Sequence, residues 1–388
     1  MPFVTAALLG ALAVAQGAAT LILLGRLAKG RHREPPVEPV DFGASASTTI
    51  VVPVLNEASR IGPLLATLPG QGRLVREIIV VDSGSTDGTQ ALVQQAGALD
   101  SRIALVSDPP LPDGWIGKAW ALEHARTLAT GAWILALDAD TAPRPELASA
   151  AVAAAEAGGY DAVSFSPRFA GQSGAERFVQ PSLLASLVYR TGIPGTGAET
   201  ESVLANGQCF LVKRAVLEAG GGYEPVRASF SEDVSLARHL ARRGARVGFL
   251  DGSRLYDVRS YQSVREMWRE WGRSVDLRDA TTPGRQWMDL LFLALVQGLP
   301  LPLLIAGALG VLPDGAIART LLWISATLIA VRCTLSAAFA SSYAERGIPF
   351  WLSPIADPVA VLRVVLSTFG RPRRWRTRHY SRRKDRKD

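Results

Sequence analysis

Residues 133–141 read WILALDADT, and this stretch decides the class of the fold. Its first five residues are apolar without alternation, which is typical of a strand buried on both faces of a parallel sheet. The stretch then ends in two aspartates with no basic neighbour, although unpaired carboxylates beside a buried strand are costly. Such oxygen ligands suit Mg²⁺ or Mn²⁺, which complete their coordination with waters and substrate phosphates. We expect Asp138 and Asp140 to hold a metal ion, with a plain turn as the alternative.

Three further runs share the composition of a buried strand: TIVVPVL at 49–55, EIIVV at 77–81 and IALVS at 103–107. Amphipathic stretches separate them, and this alternation predicts an α/β fold with a doubly wound, mostly parallel sheet. Polar residues follow the strands, with Asn56 and Glu57 after the first and Asp82 after the second. Because such sheets bind ligands at the carboxyl ends of their strands, we expect a site there.

The N-terminal 25 residues carry no charge, and basic residues follow them directly. About 20 apolar residues span a bilayer as a helix. A cleaved signal peptide is the alternative, but it would need a positive segment in front of the apolar run. We therefore expect an uncleaved anchor, and the trailing positive charge places the next segment in the cytoplasm.

Two more uncharged or nearly uncharged runs, 290–312 and 320–340, flank a polar PDG turn and predict a helical hairpin that crosses the membrane and returns. The second run contains one charge, Arg332. A charge at mid-bilayer is expensive, so we expect this side chain to snorkel to the headgroups rather than to serve a function.

A fourth segment, residues 350–369, contains Asp357, Arg363 and two prolines. If it crossed the membrane, the basic tail would lie outside the cell, against the positive-inside tendency. An interfacial or re-entrant helix near the mouth of the active site avoids that outcome and the cost of burying the two charges. We therefore predict three spans and a cytoplasmic tail, in a multi-pass protein of the cell (inner) membrane.

Positive charge is concentrated in the tail. Residues 371–388 contain ten Lys or Arg and two Asp, and the whole chain has a net charge of +7. The folded part is therefore near neutrality, which argues against a nucleic-acid partner and favours contact of the tail with anionic lipid headgroups. Only Cys209 and Cys333 are present, too few for a disulfide framework or a cysteine metal site.

Two motifs further along the chain place charged residues at predicted helix starts. In GWIGKAWAL, Lys118 opposes the helix dipole, which suggests an anionic partner such as a phosphate, while a solvated surface lysine is the alternative. In SEDVSLARHLARRG, the dipole would keep Glu232 and Asp233 ionised, and a carboxylate there is a plausible general base.

In this order, the blocks PVLNEASRI, VVDSGSTDGT, LDADT, NGQCFLVKRAVLEAGGGYE and SEDVSLARHLARRG resemble those of family 2 glycosyltransferases, which have the GT-A fold. The similarity covers residues 49–277. PLPDGWIGKAWAL and WRTRHY resemble the subgroup that acts on membrane lipids, such as carotenoid and hopanoid-associated glycosyltransferases.

The resemblance implies roles for individual residues. Asp82 would hold the nucleotide base in a pocket shaped by Pro53, Asn56 and Glu57. Lys118 would contact the nucleotide or its diphosphate, and Asp233, beside Glu232, would be the catalytic base. Asp138 and Asp140 would be the metal-binding pair, with Asp140 the more direct ligand, so that a metal carrying a nucleotide-sugar diphosphate replaces the missing basic partner.

Processive polysaccharide synthases carry a Q-x-x-R-W motif after the base, and this chain departs from it. Glu266 stands where the tryptophan is expected. Trp271 and Arg273 are candidates for acceptor-site or diphosphate contacts, and an amphipathic interfacial helix is the equal alternative. Because only a hairpin follows, polymer export is not expected.

The sequence thus predicts an inverting, Mg²⁺- or Mn²⁺-dependent enzyme that moves a sugar from a nucleotide-diphosphate sugar to a lipid hydroxyl. The alternatives are a polyprenyl-phosphate sugar transferase and a non-catalytic nucleotide-sugar-binding protein. The predicted domains are an anchor (1–28), a linker (29–48), a cytoplasmic GT-A domain (49–285), a membrane region (286–369) and a basic tail (370–388).

Overall fold

The computed structural model describes residues 2–39, 46–171, 173–193, 203–259, 261, 263–274, 281–369, 374–375 and 378–379. They form two compact units. The first unit comprises Met1–Arg33, Gly171–Thr196 and Tyr261–Arg371, and the second comprises Glu34–Ala170, Gly197–Ser260 and Pro372–Asp388.

The strands are β1 (Thr48–Val54), β2 (Val75–Asp82), β3 (Ile103–Ser107), β4 (Trp133–Leu137), β5 (Thr141–Pro143), β6 (Ala162–Ser166), β7 (Arg168–Phe169), β8 (Cys209–Lys213), β9 (Val247–Asp251), β10 (Tyr256–Val258), β11 (Arg374–Trp375) and β12 (Arg378–His379). The helices are α1 (Pro2–Ala28), α2 (Gly62–Thr67), α3 (Thr89–Leu99), α4 (Gly117–Leu128), α5 (Leu147–Ala157), α6 (Gly174–Thr191), α7 (Arg214–Ala219), α8 (Glu232–Arg242), α9 (Val264–Ser274), α10 (Pro283–Leu293), α11 (Pro300–Ala308), α12 (Ala316–Phe339), α13 (Gly347–Trp351) and α14 (Asp357–Phe369).

The second unit is built on a sheet of strand order β3-β2-β1-β4-β8-β6-β9. β8 is antiparallel to both of its neighbours, and the other adjacent strands pair in parallel. The four predicted strands are present, and β1 and β4 are buried along their whole length because their apolar side chains point to both faces. A smaller sheet, β5-β10-β7, follows β4. The predicted α/β fold with a mostly parallel sheet is confirmed.

A crevice opens at the carboxyl end of β1. The pairing of β1 with β4 ends at Val51 and Ala136, whereas its pairing with β2 continues through Pro53 and Val81 to Asp82. Proline cannot donate to a ladder, and Pro53 lies beyond the β4 pairing, where no such bond is required. The strand order also reverses between β1 and β4, and ligands bind at such a switch point.

In the first unit, three helices are long and apolar enough to cross a membrane among the described residues: Ala6–His32, Pro283–Ala308 and Ala316–Ser342. The second combines α10 and α11 through a π-helical turn at Ala294–Gly298. The Gln16 side-chain amide of α1 donates a hydrogen bond of 3.0 Å to the Leu295 carbonyl in this turn. Backbone groups inside a bilayer have no water to bond with and need partners within the protein. The Gln16 side chain supplies such a partner for the Leu295 carbonyl.

Arg332 does not snorkel, and that expectation is wrong. The side chain is 1% exposed, and its Nε atom lies 3.1 Å from Asp357 Oδ1. Its remaining nitrogens donate to three hydroxyls, from Ser336 at 2.6 Å, Ser353 at 3.2 Å and Ser182 at 3.3 Å. We call these five residues the Arg332 cluster. Asp357 is likewise buried rather than interfacial, so its charge is compensated by pairing and not by exposure.

Removing one charge of this pair is expected to destabilise the first unit. Arg332→Met leaves Asp357 buried without its counter-ion, which costs about 3–5 kcal/mol of unfolding free energy in comparable pairs. The double variant Arg332→Met, Asp357→Leu removes both charges and should recover much of the loss. The measurement is the apparent melting temperature of the full chain in detergent.

Arg319→Met is the matched control, because Arg319 is exposed on the same helix. It should melt like the wild type. Equal melting temperatures for Arg332→Met and Arg319→Met would show that the pair does not hold the unit together.

Residues 350–369 do not form one continuous helix. α13 ends at Trp351, a short 3₁₀ turn covers Ser353–Ala356, and α14 has 13 residues, fewer than the ~20 that a span needs. Exposed apolar side chains line one side of α14, at Val359, Leu362, Leu366 and Phe369. This segment is absent from the candidate spans found among the described residues.

The two compact units divide the chain differently from the predicted domains. α6 and α9 fall within the first unit, although both lie inside the predicted 49–285 domain. The predicted linker is divided between the units: residues 29–33 belong to the first and residues from Glu34 onward to the second, where the Val37 amide donates to the Asp251 carbonyl of β9 at 2.8 Å. The predicted domain boundaries remain a prediction.

Candidate active site

The two aspartates after β4 lie in the turn that leads from the large sheet into the small one. The Asp138 amide donates to the Gln208 carbonyl at 3.2 Å, and the Asp140 carbonyl accepts from the Arg259 amide at 3.1 Å. Ala139 between them is buried, while both aspartate side chains are partly exposed. The turn therefore fixes the backbone on both sides and leaves two carboxylates at the carboxyl end of β4.

Lys118 connects this turn with α8. Its ammonium group lies 2.8 Å from Asp138 Oδ1 and 2.8 Å from Glu232 Oε1. It is the second residue of α4, as predicted, but only 15% of its side chain is exposed. The alternative of a solvated surface lysine is therefore wrong, and the helix start carries a cation because two carboxylates face it.

Asp233 is held at the first turn of α8 by backbone amides. Its Oδ2 accepts from the Gly207 amide at 2.6 Å, and its Oδ1 accepts from the Val234 amide at 2.8 Å. A Cβ atom at position 207 would come within 2.9 Å of Lys118 Nζ and 3.3 Å of Asp233 Oδ2, so a larger residue there would displace the lysine ammonium group. Gly207 was not among the residues predicted from the sequence; its signal is the NGQCF block, which leads into β8.

The cluster carries more negative than positive charge. Burial, followed by repulsion from Glu232, raises the pKa of Asp233 to about 6, while Lys118 and the two amides act in the opposite direction. Burial alone would lower the pKa of Lys118, but the carboxylates of Asp138, Glu232 and Asp233 outweigh it and raise that pKa above its usual range. Lys118 thus stays charged, and Asp233 is mostly ionised at neutral pH.

The loops after β1 and β2 are joined by hydrogen bonds. The Asn56 amide oxygen accepts from the Thr86 amide at 2.8 Å, and the Glu57 amide donates to Thr89 Oγ1 at 2.9 Å. Asn56 adopts a φ of 55°, a region that asparagine tolerates. The structure therefore brings Asn56 and Glu57 together with Asp82, at the ends of two adjacent strands.

Asp82 is buried and its carboxylate organises the second loop. It accepts from the Gly84 and Ser85 amides at 3.1 and 3.0 Å and from Gln90 Nε2 at 2.6 Å. These bonds fix the carboxylate at the carboxyl end of β2, where Asp82 pairs with Val54, the residue after Pro53 on β1.

Trp271 and Arg273 lie on α9 in the first unit. Trp271 is 5% exposed, and its Nε1 is buried without a hydrogen-bond partner in the part of the chain that the structure describes. The Arg273 side chain lies outside the described residues. α9 is also fastened to α14, because Arg363 donates to the Trp268 carbonyl at 2.6 Å.

The donor set after β4 fits a divalent ion. Asp138 and Asp140 offer hard oxygen ligands in a cluster with excess negative charge. No group of three or more His, Cys, Asp or Glu that could form a closed metal cage occurs among the described residues. Two carboxylates suffice for Mg²⁺, which commonly binds one or two of them and takes its other ligands from water and phosphate.

Comparison with known proteins shows which family and which fold the chain resembles. Residues 49–221 match the family model described as glycosyl transferase family 2. The chain is 28% identical over 235 residues to the succinoglycan biosynthesis protein ExoA of Rhizobium meliloti, covering 59% of this chain and 68% of that protein. It is 33% identical over 117 residues to the 4,4'-diaponeurosporenoate glycosyltransferase of Staphylococcus aureus, covering 30% of this chain but only 29% of that protein.

A solved structure with a similar fold is the mannosyltransferase PcManGT of Pyrobaculum calidifontis, in complex with GDP-Man and Mn²⁺. The TM-score is 0.56 at 20% identity, over 93% of this chain and 98% of that one. The similarity supports the GT-A fold predicted for the sheet. Residues 49–221 are thus similar to family 2 glycosyltransferase domains, and the solved structure supports the fold alone.

Proposed function

We propose that this protein is a membrane-anchored, inverting glycosyltransferase that moves a sugar from a nucleotide-diphosphate sugar to a hydroxyl group of a membrane lipid. The observation that carries the proposal is the convergence of Lys118, Asp138, Glu232 and Asp233, from three separate elements, beside the carboxyl ends of the strands. Acidic side chains at the carboxyl ends of the strands can hold a metal ion that binds a diphosphate, and one of them can act as a general base.

Donor binding is assigned to the loops after β1, β2 and β4. Asp82, with Pro53, Asn56 and Glu57, would hold the nucleotide base, and Lys118 would contact the diphosphate. Asp140 and Asp138 would hold the divalent ion, which neutralises charge on the departing diphosphate when it is bound. That PcManGT, a protein of similar fold, was solved with GDP-Man and Mn²⁺ supports this assignment.

Asp233 is assigned as the general base. Its two amide contacts fix the carboxylate, and its raised pKa of about 6 leaves it mostly ionised yet basic at neutral pH. It takes the proton from the acceptor hydroxyl as that oxygen attacks the anomeric carbon. The bond to the diphosphate oxygen breaks with its electron pair, and this single displacement inverts the anomeric configuration.

The acceptor is assigned as a lipid because three helices are suited to a bilayer and α14 exposes an apolar side. The match to the 4,4'-diaponeurosporenoate glycosyltransferase supports a carotenoid-like acceptor, and a hopanoid and a glycerolipid-like lipid are the alternatives. A polyprenyl-phosphate acceptor is already ionised and would not require the fixed base. A non-catalytic binding protein would have no use for Asp233 or Asp140.

A role for Trp271 and Arg273 at the acceptor or the diphosphate stays a prediction, with an amphipathic interfacial helix as the equal alternative. A buried donor without a partner is costly, and a bound ligand could supply the missing acceptor. Trp271→Phe removes only that donor while it keeps most of the buried ring.

The test of the proposed function is an incubation of membranes containing the protein with a panel of radiolabelled nucleotide sugars. Label should enter the lipid extract with one donor, and a metal chelator should prevent it. If label reaches only water-soluble products with every donor, the lipid acceptor is wrong. Incorporation that chelation does not reduce would contradict the metal assignment.

The membrane topology gives a separate prediction. With Cys209 and Cys333 replaced, a cysteine at Ser381 should resist impermeant thiol reagents in intact cells and react after lysis, because we place the basic tail in the cytoplasm. A cysteine at Asp314, in the turn before α12, is the matched control and should react in intact cells. If Ser381→Cys reacts as readily as Asp314→Cys in intact cells, the tail is external and residues 350–369 cross the membrane.

A further inference from the structure

The Lys118 ammonium group pairs with Asp138, one of the two carboxylates that would hold the metal ion. Its ammonium group lies 2.8 Å from Asp138 Oδ1 and 3.2 Å from Asp138 Oδ2, so it contacts both oxygens of that side chain. A divalent ion at Asp138 would need these same oxygens. Two cations so close together repel each other, and the ion can therefore bind there only as the ammonium group moves away.

The surroundings of Lys118 define where its ammonium group can go. Glu232 Oε1 also lies 2.8 Å from it, so Nζ keeps one counter-ion when Asp138 is released. The absence of a side chain at Gly207 leaves the space that Nζ occupies. Glu232 is thus a positioning residue that acts through Lys118, while Asp233 faces the Gly207 amide.

From this geometry we propose that Lys118 competes with the divalent ion for Asp138 and keeps the site from loading metal until a nucleotide diphosphate is present. The diphosphate offers the ammonium group a new anion, which frees the Asp138 oxygens for the ion. Binding of metal and binding of nucleotide are therefore positively coupled, each strengthening the other by the same factor. This inference rests on the proposed function, because it assumes the metal site at Asp138 and Asp140.

The experiment measures binding of Mn²⁺ to the full-length protein in detergent by electron paramagnetic resonance, with and without a nucleoside diphosphate. In the wild type, Mn²⁺ should bind weakly alone and tightly with nucleotide. Lys118→Met should strengthen nucleotide-free Mn²⁺ binding by about tenfold or more, the factor that a neighbouring opposite charge commonly contributes. The same variant should bind the nucleotide more weakly than the wild type does.

Lys213→Met is the matched control, because it also removes one lysine from an aspartate pair, with Asp161 at 2.9 Å in the same unit. It should leave Mn²⁺ binding unchanged. Loss of Lys118 alone leaves excess negative charge, so the charge-balanced double variant Lys118→Met, Glu232→Gln is measured as well. It should show the same gain in Mn²⁺ affinity.

The possible outcomes separate the inference from the proposed function. If Mn²⁺ binds the wild type with nucleotide but neither Lys118 variant gains nucleotide-free affinity, the competition is wrong and the metal site stands. If Mn²⁺ fails to bind the wild type under both conditions, the metal assignment fails and the competition fails with it. If Lys118→Met and Lys213→Met gain the same nucleotide-free Mn²⁺ affinity, the gain comes only from the loss of one positive charge. That result overturns the inference.

Discussion

Asp233→Asn is expected to lower kcat by roughly 10²–10⁴-fold, the usual contribution of a general base, while the donor still binds. Asparagine keeps the shape of the side chain and an oxygen for the Gly207 amide, but it cannot accept the proton of the acceptor hydroxyl. The measurement is kcat for lipid glycosylation together with the dissociation constant of the nucleotide. Asp161→Asn, a change in the Lys213 pair, is the matched control and should keep the wild-type rate.

Two further readouts distinguish catalysis from folding. The pKa of Asp233 is raised from 3.8 to about 6, so its stabilising contribution is complete below pH 3.8 and is lost as the pH rises through 6. At pH 7 the Asn variant should therefore melt no lower than the wild type. The wild-type rate should fall as the pH drops below about 6, when the base becomes protonated. An Asn variant with the wild-type rate on a hydroxyl acceptor would exclude Asp233 as the base and favour the polyprenyl-phosphate alternative, which needs no base.

Asp140→Ala is expected to lower the transfer rate by about 10³-fold or more, because bound metal contributes several kcal/mol of charge stabilisation. It should also remove the metal dependence of nucleotide binding. Both effects are measured by comparing transfer and nucleotide affinity with and without Mn²⁺. Glu156→Ala, a change at an exposed carboxylate of α5, is the control and should keep both. Normal turnover and metal-dependent nucleotide binding in Asp140→Ala would place the metal elsewhere.

The parallel half of the sheet was predictable because its signal is local. A strand buried on both faces needs consecutive apolar residues, and β1 and β4 have them, so their sequences alone indicate the element. The polar residues that end these strands then point to the site. Asp138 follows β4 directly, and Asn56 follows β1 after one intervening residue.

The position of β8 was not predictable in the same way. β8 lies antiparallel between β4 and β6. The sequence of Cys209–Lys213 indicates neither the direction of this strand nor the strands with which it pairs. The same applies to the partners of Lys118, because Asp138 and Glu232 lie far from it in the sequence. The dipole argument predicted an anion beside Lys118, but the protein itself supplies two.

The prediction that Arg332 snorkels was wrong because it rested on the composition of one segment. The sequence shows one charge in an apolar run, and headgroups are the usual partner of such a charge. Its actual partner, Asp357, stands in a different segment, and the serines around them come from three helices or turns. α6 was missed as part of the first unit because Ser182, which contributes to the Arg332 cluster, looks polar and unremarkable in the sequence.

Inverting transfer to a lipid hydroxyl is tested most sharply by the chemical structure of the product. The purified protein makes this product from one nucleotide sugar and extracted membrane lipids. Mass analysis should show a lipid heavier by one sugar and without an added phosphate, and nuclear magnetic resonance should show an anomeric configuration opposite to that of the donor. A sugar linked through a phosphate would contradict the hydroxyl acceptor. A retained anomeric configuration would contradict the single displacement with Asp233 as base.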